Sequence, residues 1–221
     1  MPRTEPRKTA RDRILEVALR VIREKGYGAT SVDDLCVAAD VTKGAFFHHF
    51  ASKEQLAVQA AERWSALTSA FFEAAPYHKP ASARDRVLGY VDFRLAILQG
   101  RVADYTCLVG TMVQEVHMSS TAIRDACAKS MLAHAATLEA DLAEALARSG
   151  RGVDVDAHGL ALHIQAGLQG AFILAKATQD AAVAARSIRH LRTYLDLLLS
   201  SPRPVRRPAA VPRRKKTGAK E

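Results

Sequence analysis

Three helix-start signals crowd into residues 31–53, and their spacing constrains the fold more than any other feature of the chain. Ser31 is followed three positions later by Asp34, a pattern in which hydroxyl and carboxylate each satisfy a backbone N–H at a helix start. Thr42 can cap a second helix over Lys43–His49, and Ser52, with Gln55 behind it, a third. Asp40-Val41 supplies the turn between the first two, Asp being one of the few residues besides Gly that enter the left-handed region at modest cost. Leu35 and Ala38 are expected to form the buried face of the first helix, and Phe50 to close the second. A helix of about two turns is unstable by itself. One that starts at so defined a point suits a helix-turn-helix, whose second helix offers its N-terminal residues to base edges in the major groove.

The rest of the chain also reads as helix. Thr9, with Asp12 behind it, opens a helix whose face Ile14, Val17, Ala18, Val21 and Ile22 recurs with helical period, and Lys25-Gly26 ends it. From Ser52 a long helix runs to about Ala75, where Pro76 stops it, and residues 76–81 form a loop. Ser82, with Asp85, opens a helix reaching about Gln99-Gly100; Asp104 to His117 is apolar and expected inside. A single helix is expected over Thr121–Ser149, ended by Gly150-Arg151-Gly152. No segment alternates as a strand does, so the fold class is all-α. The expected organisation is a disordered basic arm at 1–8, a helix-turn-helix domain at 9–56, a larger helical domain at 57–200 for effector binding and dimerisation, and a disordered basic tail at 201–221.

The last two helices carry paired stripes. Leu160, Ile164, Gly167, Ala171 and Leu174 follow a 4-3-4-3 spacing on the first, and Ala184, Ile188, Leu191, Leu195 and Leu198 repeat it on the second. This period favours shallow-angle packing, as in a four-helix bundle. Two copies of the chain would supply four helices, with Gly167 and Gly170 permitting close approach; alternatively, both stripes face the chain's own core.

Charge separates the ends from the body. The net charge is +9, with +3 on residues 1–13, +7 on residues 202–221 and −1 on the remainder. Basic ends suit attraction to DNA phosphates, or serve only solubility. They also support an alternative function, a sequence-tolerant DNA-architectural or accessory protein. No apolar run reaches the roughly 20 residues that span a bilayer, and the N-terminus lacks a signal peptide, so a cytoplasmic location with no membrane partner is expected. Three widely spaced cysteines suggest reduced thiols, and Cys36 and Cys127 lie on apolar stripes that would keep them inert. No phosphate loop, nucleophile motif or metal set is visible; no enzyme activity, no cofactor and no metal are expected. The adjacent His48 and His49 leave a helix about 100° apart and do not chelate one ion.

The run Val41-Thr42-Lys43-Gly44-Ala45-Phe46-Phe47-His48-His49-Phe50-Ala51-Ser52-Lys53 resembles the signature of the TetR/AcrR family of bacterial transcription regulators, within a matching stretch from about Thr9 to Leu56. The chain departs from it at Asp40, where the turn usually holds Gly, and at Phe47, where Tyr is usual, which removes a hydroxyl contact to phosphate. The resemblance implies a ligand-responsive regulator, usually a repressor, that binds a palindromic operator in double-stranded DNA as a homodimer held by its last two helices. It further implies that Lys43 and Gly44 face the groove at the start of the recognition helix. Lys43 would contact a base or a phosphate, and Phe47 a thymine methyl or the core beside Phe46. Thr42, His48, Lys53, Thr30 and Ser31 are phosphate candidates, and His49 is either a DNA contact or internal.

A small-molecule effector is expected within residues 82–179, sensed by inward side chains among which Tyr105, Cys107, His117, Met131 and Phe172 stand out, with Trp64, Tyr90 and His134 also inward. The stretch Tyr105-Thr106-Cys107-Leu108-Val109-Gly110 is similar to a subgroup of NemR-like sensors of electrophiles that react through a cysteine at the matching place. Cys107 is therefore either a sensing thiol or a small buried residue.

Overall fold

The computed structural model describes residues 8–150 and 154–201; the basic segments at 1–7 and 202–221 and the helix-end signal at Arg151-Gly152 lie outside the described residues. Among the described residues the chain is helix, turn and loop, without strands. Helix α1 (Ala10–Lys25) begins where Thr9 accepts the Asp12 N–H and stops at Gly26, whose φ of 89° few other residues adopt. A side chain at Gly26 would also displace the Glu115 carboxylate that lies against it. Helix α2 (Val32–Ala39) carries the full Ser31–Asp34 capping box, α3 (Lys43–His49) starts at Thr42, and α4 (Lys53–Glu73) starts at Ser52. Asp40 takes the left-handed turn position, with φ 51° and ψ 57°. The buried face of α2 is Leu35, Cys36 and Ala39; Ala38, expected inside, is exposed, because α2 is rotated to bury the positions one and four after Leu35 instead of three after it.

The C-terminal part departs from the sequence expectation at three joints. Helix α5 (Ala83–Ala96) ends about a turn before Gln99-Gly100. Residues 102–116 form two helices, α6 (Val102–Tyr105) and α7 (Leu108–Val116), parted at Thr106-Cys107. The helix expected over Thr121–Ser149 breaks into α8 (Thr121–Ala136) and α9 (Glu139–Ser149), where the Thr137 hydroxyl donates to the His134 carbonyl at 2.7 Å. Packing explains the break: it turns the buried Leu138 and Leu142 toward the core that α5 shares, and Arg86 of α5 grips Asp141. Helices α10 (Ala157–Thr178) and α11 (Ala181–Leu199) follow, and a 3-10 turn at Pro76–His78 buries Tyr77 in the expected loop.

Two apolar cores result. One joins α1, α2, α3 and the first half of α4 to α7 and α8 through Ile14, Leu35, Phe46, Phe50, Met112 and Ile123. The other joins α5, α9, α10 and α11 through Tyr90, Leu142, Ile164, Leu168, Ile188 and Leu195. Cys107 packs against both. The helix-turn-helix is thus seated on α7 and α8, and does not close its core alone.

The stripes on α10 and α11 face this second core. Ile164, Ala171, Ile188, Leu191 and Leu195 are buried within the chain, which corrects their expected placement between two copies. Their 4-3-4-3 spacing reflects α10 packing on α11 in one chain. Of the residues expected at a dimer face, Gly167, Gly170 and Leu198 are half-exposed and Leu174 is exposed, next to Ile173, Tyr194 and Leu197, which are exposed too.

Candidate nucleic-acid interface and cavity

The start of α3 is open to solvent. Thr42 Oγ accepts the Ala45 N–H at 3.1 Å, which fixes the helix start and leaves Thr42, Lys43 and Gly44 exposed. Lys43 Nζ lies 2.8 Å from Asp33, an ion pair exposed at both ends and so weakly held, and the carboxylate raises the lysine's pKa. At Gly44 an added Cβ would meet only the Thr42 hydroxyl at 3.7 Å, so the room its missing side chain leaves is on the outside. Phe46 is fully buried whereas Phe47 is 52% exposed, its ring edge-on to Phe46 at 5.2 Å. Phe47 therefore lies outside the core that holds Phe46. His48 is exposed and His49 half-buried, their rings 4.9 Å apart. Val37 of α2, 83% exposed beside the turn, shares this face, and no motif in the sequence marks it.

Two of the residues expected at phosphate are engaged within the fold. Thr30 is buried and its hydroxyl donates to the Gly26 carbonyl at 2.6 Å. Lys53 donates to the carbonyls of Tyr27 and Thr30 at 3.0 and 2.9 Å and lies 4.2 Å over the Tyr27 ring, so its ammonium staples the α1–α2 loop. Ser31 is exposed, with its hydroxyl tied to Asp34 at 2.7 Å. Lys25 and Ser31 together hold the Asp34 carboxyl well below the usual carboxylate range.

Inside the larger domain lies a small, partly open cavity. Tyr105, Cys107, Met131 and Phe172 line it as expected, with Trp64 and His134; His117 does not, being exposed at the end of α7. Tyr90 borders it from beneath: its hydroxyl meets His134 Nε2 at 3.0 Å and accepts from Arg94 Nε at 3.0 Å. Arg94 also donates to His134 Nε2 at 3.0 Å and stacks 4.3 Å over Phe72. Burial and the Arg94 charge push His134 down to about 3, so it is a neutral acceptor. Nothing in the sequence marks Arg94 or Gln165 as lining groups, because neither sits in a motif and the cavity is assembled from several helices.

Cys107 caps α7, its Sγ accepting the Gly110 N–H at 3.4 Å, and is half-buried between the cavity and a narrow recess that ends at Lys176. Arg23 and Lys176 are the cations whose fields reach its sulfur, whereas Arg101 is engaged by Glu24 and Asp104. Burial raises the Cys36 thiol and pushes Cys127 up to about 12, which suits inert thiols.

The cavity and the helix-turn-helix are joined by short polar links. The Arg23 guanidinium of α1 stacks 5.0 Å over Trp64 of the cavity wall and donates to the Asp104 carbonyl at 3.0 Å. Glu115 of α7 accepts the backbone N–H groups of Tyr27 and Gly28 at 3.2 and 2.7 Å. Ser120, at the start of α8, hydrogen-bonds Glu54 of α4.

Comparison with known proteins agrees with this layout. A model described as bacterial regulatory proteins, tetR family, matches residues 14–60, and one described as tetracyclin repressor-like, C-terminal domain, matches residues 83–191. The HTH-type transcriptional repressor DhaR of Mycobacterium sp. (strain GP1) is 36% identical over 58 residues, covering 26% of this chain and 29% of that protein. The transposon Tn10 TetC protein of Escherichia coli is 61% identical over 33 residues, covering 15% of this chain and 17% of that one. The chain thus matches under a third of these relatives' length. The reduced form of E. coli NemR superposes with a TM-score of 0.71 at 23% identity, over 83% of this chain and 95% of that one. A TetR-family regulator from Agrobacterium tumefaciens superposes with a TM-score of 0.74 at 18% identity, over 84% and 96%. At these identities the likeness establishes the fold. Among the described residues no helix is long and apolar enough to cross a membrane, and no group of acidic, histidine and cysteine side chains could hold a metal.

Proposed function

This chain belongs to the TetR family of bacterial regulatory proteins, and from that premise we propose that it is a ligand-responsive repressor that binds a palindromic operator as a homodimer and leaves it when the cavity fills. The observation that carries the proposal is the pairing of an outward α3 start with a cavity that shares Trp64 with the Arg23 contact of α1. Lys43, Gly44 and Phe47 read bases, while Thr42, Ser31 and His48 hold phosphates. The dimer forms through the outer faces of α10 and α11, where Gly170, Leu174, Tyr194 and Leu197 leave apolar surface uncovered in one chain. Such a regulator works in the cytoplasm, where the DNA is.

Two effector chemistries reach the same space: a reversible ligand filling the cavity, and an electrophile that captures Cys107. The polar atoms left without partners in the cavity favour the reversible one. A hundredfold loss of operator affinity on effector binding requires about 2.7 kcal/mol of coupling. Selection of bound duplexes from a random pool, followed by footprinting and light scattering, tests the proposal. A single palindromic footprint with a dimer in solution is expected; length-dependent coating of any DNA, or a monomer at micromolar concentration, overturns it. Treating wild type and Cys107→Ser with a small electrophile separates the two chemistries, and equal operator binding by both proteins is expected.

A further inference from the structure

We infer, on the reading that the cavity takes a small-molecule effector, that its ligand is an amphipathic hydroxy-carboxylate: Arg94 holds the carboxylate, aromatic walls hold the body, and Tyr105 with Gln165 holds the hydroxyl.

The charge argument rests on Arg94. Its two protein acceptors, the Tyr90 hydroxyl and His134 Nε2, are uncharged, and no aspartate or glutamate lines the cavity. Because His134 Nε2 accepts from Arg94, its ring proton sits on Nδ1 and the histidine adds no negative charge. The other half-buried arginines on the helices around it differ: Arg84 holds Asp196, Arg86 holds Asp141, and Arg192 holds Asp92. A guanidinium drawn into a cavity without a counter-anion is costly, and a planar fork with free N–H groups fits a carboxylate in two parallel hydrogen bonds. The ring of Phe72 below Arg94 fixes the plane of that fork.

A second polar point lies on the same cavity. Tyr105 Oη and Gln165 Oε1 are buried, have no hydrogen-bond partner, and belong to side chains at least nine-tenths buried. One is a phenol that needs an acceptor, the other an amide oxygen that needs a donor. A single ligand hydroxyl satisfies both. Between the polar groups the walls are flat and apolar, supplied by Trp64, Phe72 and Phe172, and suit the faces of an aromatic body.

The test is calorimetric titration of the full chain at neutral pH with 6-hydroxy-2-naphthoate, with its uncharged amide, and with 2-naphthoate. The hydroxy-acid is expected to bind at least about tenfold more tightly than its amide. Arg94→Met, which keeps the stacking bulk, should erase that preference; Arg94→Lys should retain part of it. Tyr105→Phe should lower the affinity of the hydroxy-acid to that of 2-naphthoate. Equal binding of acid and amide by wild type, binding of neither, or a preference that survives Arg94→Met overturns the inference. Should Arg94→Met fail to fold, the acid–amide comparison in wild type and Arg94→Lys decides. Release of a selected duplex is measured separately. Acid that binds while DNA stays bound sinks the effector reading and leaves the anion site standing.

Discussion

At the helix-turn-helix, Ser31, Thr42 and Ser52 each accept a backbone N–H and Lys53 holds two loop carbonyls; in the cavity, Tyr105 Oη and Gln165 Oε1 face no partner at all. Both regions are built from helices of the same kind, yet the caps and loop around α3 are satisfied from within, Arg13 Nε of α1 being the buried exception, and the cavity leaves two polar atoms open. A surface that must meet DNA in a fixed register gains from internal completeness, since every satisfied cap removes a degree of freedom from α3. On the proposed reading of the cavity, incompleteness is a gain, because a ligand then supplies the missing partners and its binding carries free energy.

The contrast is broken first by deleting rings. Phe46→Ala, at a fully buried position, should cost about 3–5 kcal/mol in urea unfolding. Phe172→Ala, which only enlarges a space already present, should cost less than half as much by the same measurement. Equal losses would mean that the cavity wall is packed as tightly as the reading head.

The next largest effect is one of pH. His134 has an ordinary pKa of 6.5 and about 3 in the folded chain. The unfolded chain therefore takes up the proton first as pH falls. Stability from this group is complete above about 6.5 and declines as pH drops toward 3, by up to about 1.4 kcal/mol per pH unit. His134→Gln should flatten this part of the profile relative to wild type, and parallel profiles for the two proteins would contradict the placement of His134 against Arg94.

Lys43→Ala should reduce discrimination between the selected duplex and a mutated one by about 1–3 kcal/mol, with unfolding free energy changed by no more than about 0.5 kcal/mol. Unchanged discrimination would return Lys43 to a phosphate role. The finest comparison uses one polar group from each region. Ser31→Ala should destabilise by about 1 kcal/mol through the lost cap, while Gln165→Leu should stabilise the unliganded chain by about 1 kcal/mol by removing an unsatisfied buried amide. The opposite signs, read from paired thermal and urea melts, are the sharpest check; a loss at Gln165 would show that its amide has a partner.

The same division explains what the sequence made legible. Helix starts are local: Thr9, Ser31, Thr42, Ser52 and Ser82 each announce themselves within three residues, and each caps where expected. The break at Thr137-Leu138 has no local sign, since neither Gly nor Pro marks it and its cause is packing against α5. The paired stripes on α10 and α11 gave the right period but not the right neighbour, because a period does not say whether the facing helix belongs to the same chain. Lys53 and Thr30 occupy helix-start positions that suit phosphate, and only the folded loop shows them turned inward. Arg94, His134 and Gln165 come from α5, α8 and α10, so no spacing rule brings them together.

Trp64 is the one tryptophan of the chain, and it stands with its ring between the cavity and the Arg23 guanidinium. An indole's emission shifts with the polarity around it and is altered by a cation moving off its face. The molecule therefore carries its own optical probe at the joint between its two cores, without any added label. Light emitted near one residue reports, in the same band, whether the cavity has been filled and whether the last turn of α1 has moved in answer.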